Sequence, residues 1–341
     1  MNLPEKVQKQ NNLIKSVSLV ICAKNELENL KQHLPLWFKQ EGVAYEIVLV
    51  NDASSDGSEA WLNEIIPNYS NLKVIHLANH DDGTLKGKRK ALQAGVEAAT
   101  YDYLVLSDAD CWPNSNYWLQ NMACSFNDGT EIVLGFSPYQ KKQGFLNLLI
   151  RYETLLTALQ YLAFARIGFP YMGVGRNIAY KKSILSKEAF EKSNKTSSGD
   201  DDLMVVLLAN KSNVAIQLKD TSFVYSKPAE DFKSWLKQKQ RHYSTAKYYP
   251  LHLKLAVGGF GALNLLFYIA MFILVCVEVN LLTVLSLYLL KNSAFIFLSY
   301  KNISNFKESG ILKNIWYLDF VFIVLLIFNH LKAFRLKYGW S

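Results

Sequence analysis

Four short apolar runs rich in β-branched residues recur in the first third of the chain, and each gives way to polar residues at its C-terminal end. They occupy residues 17–21, 46–50, 73–77 and 103–106. Between them lie segments with helical spacing: residues 27–40, a segment carrying Trp61 and Leu62, and one opened by Gly87-Lys88. In the last, Ala91, Leu92, Gly95, Ala98 and Ala99 form a small-residue packing face. Strand alternating with helix at this spacing predicts a mostly parallel, Rossmann-like α/β sheet. Ligands of such sheets sit beyond the carboxyl ends of the strands. Asn25, Glu26, Asp52, Asp108 and Asp110 all fall at that edge.

The fourth run passes straight into Asp108-Ala109-Asp110, and Pro113 is expected to stop any regular continuation. Carboxylates spaced i, i+2 at a strand end reach the same point. Their mutual repulsion is relieved by a hard divalent cation bridged to phosphate oxygens, although a plain acidic turn has the same composition. A second acidic cluster, Gly199-Asp200-Asp201-Asp202, precedes an apolar helix at 204–209. Part of it complements the helix dipole, but three carboxylates exceed what a cap needs, and one is a candidate general base for a substrate hydroxyl. Residues 173–180 form a glycine-rich turn feeding a strand, and residues 235–249 a basic, aromatic segment with Gln238, Arg241 and His242 at its centre.

The C-terminal third constrains location. Residues 256–279 are apolar save Asn264 and Glu278, a second block at 281–299 carries Lys291, and a third at 315–328 carries Asp319. Blocks of this length suit a bilayer about 30 Å thick, so membrane attachment through two or three helices is expected. Residues 145–169 make a long helix interrupted by Arg151, Glu153, Gln160 and Arg166, which favours a core or interfacial position. The resulting division is a polar tail at 1–16, an α/β domain at 17–250 and a membrane region at 251–341. The net charge of +8 suits an anionic surface or substrate, while no basic–aromatic run resembles a nucleic-acid face. Four cysteines without C-x-x-C spacing imply a reducing compartment and neither disulfides nor zinc. The tail lacks the apolar core of a signal peptide, so the α/β domain is expected in the cytoplasm, at the inner face of the cell membrane.

These segments, in this order, resemble the family 2 glycosyltransferases, inverting enzymes of GT-A fold that include the cellulose, chitin and hyaluronan synthases. The resemblance covers residues 16–250. It implies that Ala23-Lys24-Asn25-Glu26 lies beside the nucleotide, that Asp52 contacts uracil or ribose, and that Lys88 is a basic residue at the nucleotide. Asp108 and Asp110 correspond to the family's D-x-D, which holds Mg²⁺ or Mn²⁺ on the diphosphate. The acidic cluster matches E-D-x-D-L with Gly199 in place of glutamate, which gives the role of base to Asp200 or, one residue on, to Asp201. Gln238-Lys239-Gln240-Arg241-His242 resembles Q-x-x-R-W with His242 replacing tryptophan, which weakens the case for long-chain polymerisation but leaves Gln238 and Arg241 to meet the diphosphate. The implied activity is membrane-bound transfer from a nucleotide sugar, a UDP-sugar, to a lipid-linked or glycan acceptor, in a polysaccharide-synthesis complex or in glycolipid synthesis. A catalytically inactive membrane assembly protein and a nucleotidyltransferase with a related sheet are the competing readings.

Overall fold

The computed structural model describes residues 16–78, 85, 87–196, 199 and 201–333. The chain runs β1 (Ser16–Ala23), α1 (Leu27–Trp37), β2 (Ala44–Asp52), α2 (Ser58–Ile65), β3 (Leu72–Leu77), α3 (Arg89–Ala98), β4 (Tyr103–Asp108) and β5 (Cys111–Pro113). It continues with α4 (Trp118–Ala123), β6 (Ile132–Leu134), α5 (Phe145–Arg166), β7 (Ile178–Lys181), α6 (Lys187–Ser193), α7 (Asp202–Leu208), β8 (Val214–Ile216) and β9 (Val224–Ser226). Four helices close it: α8 (Phe232–Tyr243), α9 (Leu251–Cys276), α10 (Leu281–Asn305) and α11 (Ile315–Ala333).

Among the described residues the chain divides into a sheet unit (16–140 and 161–228) and a helical unit (141–160 and 229–333), so α8 and most of α5 group with the C-terminal helices. The seven-stranded sheet has the order β3-β2-β1-β4-β7-β6-β8. The four strands expected from sequence pair in parallel, whereas β7 runs antiparallel to both β4 and β6. The sheet is therefore mostly rather than wholly parallel. Some element boundaries differ from expectation. Helix α1 ends at Trp37 rather than Gln40. Regular pairing resumes briefly after the carboxylates and stops at Pro113: Cys111–Pro113 pairs antiparallel with β9 in a separate two-stranded ribbon. Proline is tolerated there because it is the last residue of a short edge strand, where no ladder N–H is needed.

The sheet's inner strands are buried on both faces, which is why they read as continuous apolar runs. Helix α3 packs closely on one face through Gly95, where an added Cβ would stand 2.5 Å from Val20 Cγ1 and 3.1 Å from Val50 Cγ2. Gly95→Ala is therefore expected to lower the melting temperature, with overpacking of about 1–3 kcal/mol exceeding the roughly 1 kcal/mol gained in helix propensity. A rise in melting temperature would show that α3 has slack against β1. At the opposite edge from the ligand side, Glu46 accepts hydrogen bonds from Ser18 Oγ at 2.6 Å and Thr100 Oγ1 at 3.0 Å and pairs with Lys73 at 2.7 Å. Burial pushes its carboxyl up, but the Lys73, Ser18 and Thr100 bonds outweigh it and leave it below the usual carboxylate range.

In the helical unit, three successive residues of α5 reach three different partners. Arg151 pairs with Glu308, Tyr152 Oη donates to Asp319 Oδ1 at 3.1 Å, and Glu153 accepts from Lys239 at 2.5 Å. Steps of about 100° per residue along a helix make this fan-out possible. Helix α5 is a core helix, with Leu149, Ile150, Tyr152, Leu155 and Leu162 buried. Among the described residues, α9 and α10 are long and apolar enough to cross a bilayer. The third apolar block forms α11.

Candidate active site

The first two strands deliver their polar ends into interlocked turns. Asn25 adopts left-handed backbone (φ 56°), a conformation asparagine tolerates better than most residues. Its N–H donates to Ser54 Oγ at 2.9 Å and its Oδ1 accepts from Ser55 N at 2.8 Å, while Leu27 N donates to Asp56 Oδ2 at 2.8 Å. Ala53 is also left-handed (φ 50°), a costlier state for a residue with no polar side chain to compensate. Strain of this kind collects at ligand sites and persists only where surrounding bonds enforce it. Asp52 lies 3.8 Å from Lys24 Nζ, so the β1 and β2 ends share charge as well as hydrogen bonds.

Asp108 closes β4 and is paired with Lys88, which opens α3. Asp110, in the turn before β5, accepts from Cys111 Sγ at 3.2 Å and from Ser226 Oγ at 3.4 Å. Donor atoms of Asp108, Asp110 and Cys111 lie within 4.8 Å of one another. Burial and then the Asp108 charge push the Asp110 carboxyl above its ordinary value. Glu26, whose Oε2 accepts from Asn29 Nδ2 at 2.6 Å, is raised by burial and by the fields of Asp110 and Asp108. Burial pushes the Cys111 thiol well up, which leaves the carboxylates as the ready ligands. A crowded pair of hard oxygen donors suits Mg²⁺ or Mn²⁺, so the residues present fit such an ion.

The glycine-rich turn before β7 ties this edge to the acidic cluster. Ser107 Oγ donates to Arg176 O at 3.0 Å, and Gly175 N donates to Asp201 Oδ2 at 2.8 Å. Asp201 Oδ1 also accepts from Asp202 N at 3.0 Å, which makes Asp201 the N-cap of α7. Lys88, Ser107, Gly175 and Asp201 line one cavity of about 20 Å³ between α3, β4 and this turn. Asp200 lies outside the described residues. Arg176 was not singled out from sequence, where only its glycines marked the turn. Its Nε donates to Ser137 Oγ at 2.6 Å, its Nη2 to Ser137 O at 3.0 Å, and its guanidinium lies 4.6 Å from the centre of the Tyr139 ring. Burial alone would lower its pKa, but Tyr139, Cys111, Asp110 and Asp108 together raise it.

The structure thus brings Asn25, Glu26, Asp52, Lys88, Asp108, Asp110 and Asp201 to one edge of the sheet unit. Gln238 and Arg241 lie in α8 of the helical unit, spaced i, i+3.

A mostly parallel sheet with an acidic pair at the end of its fourth strand is the GT-A arrangement. The chain belongs to glycosyl transferase family 2, whose sequence model matches residues 18–191. It is 28% identical over 104 residues to the poly-beta-1,6-N-acetyl-D-glucosamine synthase of Staphylococcus epidermidis, a match covering 30% of this chain and 24% of that one. It is 31% identical over 123 residues to the undecaprenyl-phosphate 4-deoxy-4-formamido-L-arabinose transferase of Proteus mirabilis, covering 35% and 36%. The chain therefore spans about a quarter to a third of the length of these curated relatives. In fold it is similar to a mannosyltransferase, PcManGT from Pyrobaculum calidifontis, solved with GDP-Man and Mn²⁺, at a TM-score of 0.55 and 16% identity over 90% of this chain and 86% of that one.

Proposed function

We propose that the protein is a membrane-bound inverting glycosyltransferase that moves a sugar from a nucleotide sugar, a UDP-sugar, to a lipid-linked or glycan acceptor. The observation that carries this reading is the gathering of Asn25, Glu26, Asp52, Lys88, Asp108 and Asp110 at the carboxyl edge of the sheet. Asp108 and Asp110 are the residues to hold Mg²⁺ or Mn²⁺, which when bound would neutralise charge on the diphosphate leaving group. The interlocked Asn25 and Asp52 turns orient the nucleoside. Lys88 supplies a positive charge beside the diphosphate.

The acceptor O–H attacks C1 of the sugar as the bond from C1 to the phosphate oxygen breaks, and the bonding pair leaves with the diphosphate. The acceptor proton passes to a carboxylate of the acidic cluster. Both oxygens of Asp201 accept backbone N–H groups, which suits a positioning role and favours Asp200 as the base. Backside attack on C1 inverts the anomeric centre. Gln238 and Arg241 join this reading on their sequence pattern alone. Helices α9 and α10 supply the attachment to the cell membrane, with the sheet unit on its cytoplasmic side. The relatives named for polysaccharide synthesis and for an undecaprenyl-phosphate substrate favour acceptors of the glycan or lipid-linked class, and a polysaccharide-synthesis complex as the setting.

The test is a panel of UDP- and GDP-sugars on detergent-purified protein, with Mn²⁺ or Mg²⁺ against EDTA, read as release of nucleoside diphosphate. Metal-dependent turnover of one UDP-sugar is the expected result. Turnover unaffected by EDTA would remove the metal from the mechanism. If no sugar turns over and no nucleotide shifts the melting temperature, the reading as a donor-using enzyme fails.

A further inference from the structure

The net charge is unevenly placed along the chain. Segments 141–160 and 229–333 of the helical unit carry 14 Lys and Arg against 6 Asp and Glu, which accounts for the whole net charge of +8. The excess therefore lies with the apolar helices and not with the nucleotide-binding sheet. Three of those acids are taken up in ion pairs with Arg151, Lys239 and Lys291. Asp231 caps α8, accepting from Ser234 N at 2.9 Å and Ser234 Oγ at 2.6 Å. Lys247, Lys254 and Lys301 are exposed, and among the described residues no ion pair engages them.

These three lysines mark one level. Helices α9 and α10 form a hairpin closed by residues 277–280. Lys254 lies 22 residues before Cys276, and Lys301 lies 20 residues after Leu281. At about 1.5 Å per residue the two stand about 33 Å and 30 Å from the closed end, close to the roughly 30 Å of a bilayer's hydrocarbon core. Between them and the turn the sequence holds one charged residue, Lys291, which Asp319 neutralises. Lys247 precedes α9 by four residues, and its Nζ lies 4.9 Å from the centre of the Tyr248 ring. Tyr248 is 37% exposed and Tyr300, beside Lys301, is 57% exposed. Exposed tyrosine next to exposed lysine at the end of an apolar helix suits the membrane–water boundary, where ring and polar tip meet different phases. The closed end has neither residue type; its charge is Glu278. Local helix energetics do not account for Lys254, because a helix N-terminus favours anions and the first turn of α9 contains no acid.

We propose that Lys247, Lys254 and Lys301, flanked by Tyr248 and Tyr300, form a collar that binds the anionic headgroups of phospholipids at the cytoplasmic face of the bilayer. Each lysine gains from the negative surface potential of that face. The apolar helices meet acyl chains common to all phospholipids, so the collar is what makes the protein choose among headgroups. This proposal rests on the reading of α9 and α10 as membrane helices and is independent of the transfer reaction.

The experiment reconstitutes the full chain in phosphatidylcholine bilayers and compares spin-labelled phosphatidylglycerol with spin-labelled phosphatidylcholine by electron paramagnetic resonance. The motionally restricted fraction of each label gives their relative affinity for the protein surface. The native protein is expected to prefer phosphatidylglycerol at least about threefold at low salt, with the preference falling as salt is raised. In the triple variant Lys247→Gln, Lys254→Gln, Lys301→Gln the preference is expected to vanish. Neutralising three exposed lysines of the sheet unit instead (Lys187→Gln, Lys192→Gln, Lys195→Gln) should leave it intact. Equal loss in both variants would make the effect one of net charge alone and overturns the collar. So does a collar variant with a native melting curve and full preference. Should the collar variant not fold, the native protein still decides: no preference at low salt overturns the proposal. A polyprenyl phosphate that displaces the restricted phosphatidylglycerol at amounts stoichiometric with protein would assign these lysines to a lipid-linked acceptor, and overturns binding of bulk lipid. Failure to enter bilayers at all overturns the membrane reading as well, whereas entry without preference overturns this proposal alone.

Discussion

Asp108→Ala is expected to cut sugar transfer by roughly a thousandfold or more, the scale on which preorganised charge stabilisation at a leaving group operates. Asp108 ends the fourth strand at the ligand edge and is shared between Lys88 and the Asp110 pair. The substitution removes a candidate metal ligand and the carboxylate that pairs with Lys88, but it also relieves the repulsion felt by Asp110. Its side chain is 36% exposed, so the fold should survive the change. The readout that isolates the cause is Mn²⁺ binding, measured beside nucleoside diphosphate release. Asp108→Ala should lose both together. Asp200→Asn, by contrast, should lose transfer while keeping Mn²⁺ and nucleotide binding, because a general base acts on the acceptor and holds neither ligand. An Asp108→Ala protein that folds and transfers sugar at the native rate would sink the assignment of metal to this carboxylate pair.

The parts of this site that are legible in sequence are those carried by short-range pattern. Apolar runs ending in Asn25-Glu26, Asp52 and Asp108 announce strands and their edge together, because a doubly covered parallel strand has no polar residue until it leaves the core. Arg176 was not legible. Its neighbours Ser137, Tyr139 and Ser107 lie 39, 37 and 69 positions away, and antiparallel pairing of β7 with β4 is what brings the turn beside Asp108. Nothing in the local pattern of residues 173–180 carries that pairing. The ribbon of Cys111–Pro113 with β9 is equally non-local: its partner strand begins more than a hundred residues later. Asp201 shows the same limit on a smaller scale. Its place in an acidic run suggests catalysis as readily as capping, and the bond from Asp202 N that makes it the N-cap of α7 is not visible in the run.

Sequence alone also misjudges the charges in the apolar helices. Lys291 weakens its block as a candidate span and Asp319 stands near the start of the next, yet the two form an ion pair with each other. Asp319 is 7% exposed and further accepts from Tyr268 Oη at 2.6 Å, Tyr152 Oη at 3.1 Å and Asn264 Nδ2 at 3.2 Å. One carboxylate on α11 thus gathers donors from α5, α9 and α10, and its bonds fix the register of all four helices. Such a group is costly in apolar surroundings unless fully partnered, and removing one member strands the rest. Asp319→Ala is accordingly expected to destabilise the helical unit by about 3–5 kcal/mol, seen as a large drop in melting temperature in detergent and a fall in monodisperse yield. The decisive comparison is Asp319→Leu combined with Lys291→Met, which removes both charges and replaces them with apolar volume. Recovery of most of the lost stability in that double variant would show that the cost lies in the stranded amine. If the double variant is as unstable as the single one, the three neutral donors carry the register, and Tyr268→Phe should then be nearly as damaging as Asp319→Ala.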